Sequence, residues 1–219
     1  MTRKQKALYT AVGLTLLFIT FTLLLKLVDV QPVGPQLSEV GFATINAAFA
    51  KAIGYNSVFY YLAKALGIVC FVIVGCFALM GAVQLLHTRN IKKVNYRIIA
   101  VGALYICVLI FYVFFNIVAV NYRPVLIDGA LEPSYPSTHT LIALCVTISA
   151  AMVVKGILKN RRLADILTIV LLATGFLTML FRLFSGVHWL TDIVGGLLLS
   201  LMLIGWFKYS LFALRRALR

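Results

Sequence analysis

Residues Ile98–Val120 read IIAVGALYICVLIFYVFFNIVAV, an apolar run without a single charged side chain. A run of that length exceeds the roughly 20 helical residues needed to cross about 30 Å of hydrocarbon. Comparable runs lie on either side of it. They predict membrane spans at about 7–28, 58–86, 137–155, 166–184 and 189–207, which with 98–120 makes six. The span at 58–86 is longer than a bilayer requires, so it is expected to tilt or project. That at 137–155 is short and is expected to end at Lys155 by snorkelling.

Composition agrees. Of 219 residues, 63% are hydrophobic and 12% charged, and the mean hydropathy is +1.03. A soluble domain has about half its residues apolar and a quarter charged. Soluble enzymes, disordered tails and disulfide scaffolds are thereby excluded. The expected fold class is all-α: a polytopic membrane protein, a six-transmembrane-helix bundle in a single membrane domain over 1–219. The basic opening Met1-Thr-Arg-Lys-Gln-Lys resembles a signal peptide, but the run after it is too long and no small-x-small cleavage site closes it. It reads as an uncleaved first span. Between the first two spans Pro32, Gly34 and Pro35 break the chain, and Leu37–Ile53 predicts a short amphipathic helix lying in the membrane interface or packed on the bundle.

Net charge is +14, from 20 basic and 6 acidic residues. In a soluble chain such an excess suggests nucleic acid. Here Arg3, Lys4, Lys6, Arg89, Lys92, Lys93, Arg97, Lys155, Lys159, Arg161, Arg162, Lys208, Arg215, Arg216 and Arg219 all fall on one side of the predicted spans. Elsewhere there are Lys26, Lys51, Lys64, Arg123 and Arg182. This bias predicts a plasma-membrane protein with both termini cytoplasmic, and no nucleic-acid partner. The loops carrying Arg123, His139 and Arg182 then face outward. Cys70, Cys76, Cys107 and Cys145 lie inside apolar runs and read as small hydrophobes.

Six spans require no chemistry, so polar residues at span ends carry the functional information. Asn116–Pro124 closes the third span, Tyr135-Pro-Ser-Thr-His139 opens the fourth, and Arg182-Leu-Phe-Ser-Gly-Val-His188-Trp-Leu-Thr-Asp192 joins the fifth to the sixth. His188 and Asp192, four apart at a helix start, project from one face. The carboxylate can hold one ring nitrogen while the other presents a lone pair, as an oriented nucleophile or base does. Arg182 can fold back beyond Gly186, and its planar fork suits a tetrahedral oxyanion. Pro136 suits a helix first turn, whose free N–H groups favour phosphate, and Ser137 adds a donor. His139 stands where a proton donor to a leaving oxygen is needed. With Arg123, these groups describe a phosphate site. Singly, each is a common interfacial residue; together on one face, against the charge gradient, they are not explained by topology. A zinc site at His139, His188 and Asp192 is the metal alternative, disfavoured by two arginines that repel a cation.

These groups resemble the signature of the type 2 phosphatidic acid phosphatase superfamily: Lys-x6-Arg-Pro, Pro-Ser-Gly-His and Ser-Arg-x5-His-x3-Asp. Arg123-Pro124, then Pro136, Ser137 and His139, then Arg182, His188 and Asp192 match in order and spacing. The resemblance implies a small bacterial membrane lipid phosphatase that needs no metal or other cofactor. In it His188 would attack phosphorus and form a phosphohistidine, Asp192 would hold its ring, and His139 would protonate the leaving oxygen and then activate water. Arg123, Arg182, Ser137 and the Thr138 backbone would bind the phosphate oxygens. Asn116 stands in place of the family's lysine, Thr138 of its motif-two glycine and Phe181 of its motif-three serine. Lys64, an intramembrane lysine without an evident partner, is expected to replace part of the lost charge. The implied substrate is a membrane lipid phosphate or diphosphate: undecaprenyl diphosphate, phosphatidylglycerol phosphate or phosphatidic acid. A phosphotransferase on the same scaffold and a non-catalytic lipid-binding or transport protein are the alternatives. The oligomeric state is not legible.

Overall fold

The computed structural model describes residues 1–217. Seven α-helices follow in order: α1 (Arg3–Leu24), α2 (Ala43–Ile53), α3 (Ser57–Thr88), α4 (Tyr96–Ile117), α5 (Thr138–Val154), α6 (Arg161–Phe184) and α7 (Leu190–Ala217). The protein is an all-helical, multi-pass membrane protein. Helices α1, α3, α4, α6 and α7 are long and apolar enough to cross a bilayer. Helix α5, of 17 residues, is shorter. At 1.5 Å per residue it reaches about 26 Å.

Helix ends are set by capping rather than by hydropathy. Helix α6 starts at Arg161, ahead of the apolar run, because Asn160 accepts from the Leu163 N–H. Asn56 accepts from the N–H groups of Val58 and Phe59, and Asn95 from that of Arg97. Thr2 and Gln5 cap α1 reciprocally, so that helix takes in the basic opening. At the other end α1 stops at Leu24, short of the predicted 28. Helix α7 runs past the predicted 207 because nothing in Lys208–Ala217 breaks a helix. Arg219, counted among the cytoplasmic charges, lies outside the described residues. The predicted helix at 37–53 begins later, at Ala43. Ahead of it, Pro35–Leu37 forms a 3-10 turn and Gln31 pairs with Val40. Asn46 ties α2 to the bundle: its Nδ2 donates to Thr191 Oγ1 at 2.9 Å, and its Oδ1 accepts from the Thr191 N–H at 3.2 Å.

The packing places α5 at the centre. It touches α3, α4, α6 and α7, and much of it is buried, including Leu141, Cys145, Val146 and Val153. Helices α1 and α7 pair along their length. A core formed by Phe18, Leu104, Phe115, Leu141, Leu199 and Met202 lies among α1, α4, α5 and α7. Large apolar side chains elsewhere face out, including Phe71, Leu79, Ile106, Ile110 and Ile169. In water such a surface would be strongly unfavourable; against hydrocarbon it needs no partner. Cys76 and Cys107 are among the exposed positions, Cys70 and Cys145 are buried, and all four are free thiols. Small residues allow close helix contact. A Cβ on Gly175 of α6 would strike Thr147 of α5.

Candidate active site

The turn between α6 and α7 positions the first group. Gly186 adopts φ +69°, and a Cβ there would collide with the Gly54 carbonyl, so glycine alone fits this close approach. The chain then doubles back, bringing His188 against the last turn of α6. Arg182 Nη2 donates to His188 Nε2 at 2.9 Å. Arg123 Nη1 lies 3.4 Å from the same nitrogen. An arginine can only donate, so Nε2 is the acceptor and the neutral ring carries its proton on Nδ1. That atom faces Asp192 Oδ2 at 3.5 Å, a long contact. Burial foremost, then the guanidiniums of Arg182 and Arg123, hold His188 well below the usual imidazole pKa. The ring is therefore neutral, with its lone pair on Nε2.

Asp192 is fully buried and fixed by its own helix start, Oδ2 accepting from the Trp189 N–H at 2.9 Å. Asn121 Nδ2 approaches Oδ1 at 3.5 Å. Arg182 is 1% exposed and has no carboxylate partner; its Nε and Nη1 are unpaired. Its guanidinium lies over the Tyr60 ring at 5.5 Å, and Lys64 Nζ lies over the same ring at 5.1 Å. Arg123 is held at its Nε by Glu132 at 2.9 Å and by a backbone bond from its N–H to the Glu132 carbonyl.

A cavity of about 1010 Å³ joins these groups. At its polar end stand Lys64, Arg123, Glu132, Thr138, His139 and His188. Between α3, α4 and α5 it continues over Ile68, Phe71, Val74, Ile106, Leu109 and Val146. Thus the three sequence groups, distant in the chain, converge. Asn116 also lines the cavity, with its Nδ2 turned back to the Tyr112 carbonyl at 2.7 Å. Ser137 is placed differently from the expectation of a phosphate donor. It is fully buried, its N–H donates to the Asp192 carbonyl at 3.0 Å, and its hydroxyl accepts from Thr140 at 3.0 Å. It occupies the N-cap position of α5 without a side-chain cap bond, which leaves Pro136 before the helix and not in its first turn. Among the described residues no group of three or more His, Cys, Asp or Glu side chains has metal-holding proximity.

Sequence reasoning missed a supporting set. Tyr135 is buried, its hydroxyl 2.7 Å from Thr22 Oγ1 on α1. Its ring occupies the space that a Cβ on Gly195 of α7 would need. Lys26 Nζ donates to the Val120 carbonyl at 2.7 Å, and Trp189 Nε1 to the Tyr122 carbonyl at 2.6 Å, so both pin the segment carrying Arg123. Tyr60 and Asn121 belong to this set. The Gly195-Gly196 pair was the one signal in the sequence for a close approach there.

The fold and this constellation define a multi-pass membrane protein in which Arg123, His139 and His188 line one cavity, with Arg182 buried against His188. Residues 119–216 match the PAP2 superfamily, to which the resemblance had pointed; that segment contains all three motif groups from Arg123 onward. The fold is also that of a transmembrane PAP2-type phosphatidylglycerolphosphate phosphatase from Bacillus subtilis, solved by crystallography. The TM-score is 0.60 at 19% sequence identity, over 91% of this chain and 94% of that one. No curated protein matches the chain.

Proposed function

We propose that the protein is a lipid phosphatase that dephosphorylates a lipid phosphate or diphosphate without a metal, through a phosphohistidine on His188. The observation that carries this reading is the His188 ring: Asp192 lies behind Nδ1, and the Nε2 lone pair meets two guanidiniums at the polar end of an apolar cavity. An anionic phosphoryl group entering there would draw Arg182 and Arg123 onto its oxygens and free Nε2 for in-line attack. The electron pair of Nε2 forms the N–P bond as the bond to the leaving oxygen breaks. His139, in the same cavity, gives that oxygen a proton and then takes one from the water that hydrolyses the phosphohistidine. Lys64 supplies part of the charge that a lysine at position 116 would have brought. The apolar part of the cavity accommodates the lipid chain, with α3 and α4 as its walls toward the bilayer.

The same reading puts the site at the outer face of a bacterial plasma membrane. Contacts between Lys4 and Tyr209 and between Gly156 and Arg97 gather the basic segments at one end of the bundle, away from the site. Positive charge favours the cytoplasmic side. Undecaprenyl diphosphate, released on the outer face, is the leading substrate, ahead of phosphatidylglycerol phosphate and phosphatidic acid.

The test is phosphate release by the purified protein from these three lipids in the presence of a chelator. Release should occur with at least one lipid and vanish in His188→Ala and His139→Ala. Wild-type protein that folds and binds lipid yet releases no phosphate would overturn the reading. So would release abolished by the chelator. For the Lys64 role, an unaltered Lys64→Ala beside an inactive Arg123→Ala would be the contrary result.

A further inference from the structure

A second cavity, of about 190 Å³, lies between the start of α1 and the later part of α7, among Arg3, Lys6, Thr10, Gly205, Lys208 and Phe212. It is remote from the candidate active site. Thr22, which reaches Tyr135, is 19 residues along α1 from Arg3, about 28 Å at helical rise. Every charged residue lining the cleft is a cation. None of the six acidic residues of the chain is among its lining residues. Among the described residues, the ion pairs engage Arg123, Lys155 and His188 instead. The Thr10 hydroxyl is already committed to the Lys6 carbonyl at 2.9 Å. Lys4, on the same turn, is drawn aside over the Tyr209 ring at 5.4 Å.

Three exposed cations drawn from two helices around one small cleft give it a positive potential that favours an anion between them. Close packing forms the floor: a Cβ on Gly205 would lie 3.1 Å from Ala11 Cα. One guanidinium fork and two ammonium groups match the oxygens of a phosphate. The volume suits a head group, not a whole lipid. Beyond the cleft, exposed apolar side chains such as Leu16, Leu17 and Trp206 line the outer face of the same two helices and can carry acyl chains.

We propose that this cleft binds the phosphate head group of an anionic phospholipid from the leaflet on the side of the termini. The site is separate from the proposed phosphatase centre and does not depend on it. A head group there bridges α1 to α7 as a counter-ion, as basic clefts between spans do for anionic lipids.

The experiment titrates the purified full-length protein in detergent with short-chain phosphatidylglycerol, a phosphodiester, and reads bound lipid by native mass spectrometry. Parallel titrations use phosphatidylcholine and inorganic phosphate. Arg3→Gln/Lys6→Gln/Lys208→Gln should bind phosphatidylglycerol more weakly by on the order of 100-fold, from three surface cations. Lys92→Gln/Lys93→Gln/Lys159→Gln, which removes equal charge outside the cleft, should bind as wild type does. Equal loss in both variants, or loss in neither, would overturn the proposal. Inorganic phosphate displacing the lipid at equal concentration would also overturn it, in favour of a free-anion site. If the triple variant does not fold, Lys208→Gln alone should show a loss of about fivefold, and no loss would count against the cleft.

Discussion

His188 is the residue whose environment is most constrained, and two predictions follow from it. Asp192→Asn keeps the shape but loses the charge behind Nδ1, so steady-state phosphate release should fall by about 10²- to 10⁴-fold. The pH dependence has a definite sign. Protonation removes the Nε2 lone pair, so kcat/KM falls toward acid. Because the folded pKa is depressed, that fall lies below the ordinary imidazole value of 6.5. Burial is the larger cause and the guanidiniums come next, so Arg182→Gln should raise the acid limb while lowering the rate. A limb at or above 6.5 in wild type, once substrate ionisation is subtracted, would refute the assigned environment. Tyr60 is the other informative residue. It faces two cations with one ring, so Tyr60→Phe should retain activity while Tyr60→Leu should lose about tenfold in kcat/KM, chiefly through KM.

Among the elements, α7 and the segment leading into α5 meet through glycine. Gly195→Val would push Tyr135 off its seat and break its bond to Thr22, with an overpacking cost of about 1–3 kcal/mol. A lowered thermal midpoint in detergent and loss of phosphate release are expected together. Thr22→Val, which removes the bond to Tyr135 and Thr22's own bond to the Phe18 carbonyl without overpacking, should cost about 0.6 kcal/mol for the interhelical bond and leave the rate near wild type. This scale also separates what the sequence disclosed from what it hid. The apolar runs disclosed a multi-pass helical protein, with five helices long and apolar enough to cross, since hydrocarbon imposes length and composition on any helix crossing it. His188 and Asp192 were legible because they sit within one helical turn of each other. Tyr60, Thr22 and Tyr135 were not, because the partners that tie them into the site, Arg182 for Tyr60, Tyr135 for Thr22 and Gly195 for Tyr135, lie 60 or more residues away and no local period marks them. Ser137 was legible as a hydroxyl donor ahead of α5, but the Asp192 carbonyl that takes its N–H, 55 residues on, was not.

For the molecule as a whole, the charge distribution predicts an orientation. A cysteine placed at the exposed Asp128, between α4 and α5, should react with a membrane-impermeant thiol reagent added to intact cells, in a background where Cys76 and Cys107 are serine. One placed at Lys159, between α5 and α6, should react only after the cells are opened. The reverse pattern would move the candidate site to the cytoplasm.

The family match starts at residue 119, yet the supports of the centre come from much earlier: Thr22 beneath Tyr135, Lys26 on Val120, Tyr60 beside Arg182. Cutting the chain down to its matching half would therefore leave the motifs intact on paper and their scaffolding gone. A minimal version must keep α1 and α3, and co-expressing the two halves as separate fragments should restore what either one lacks.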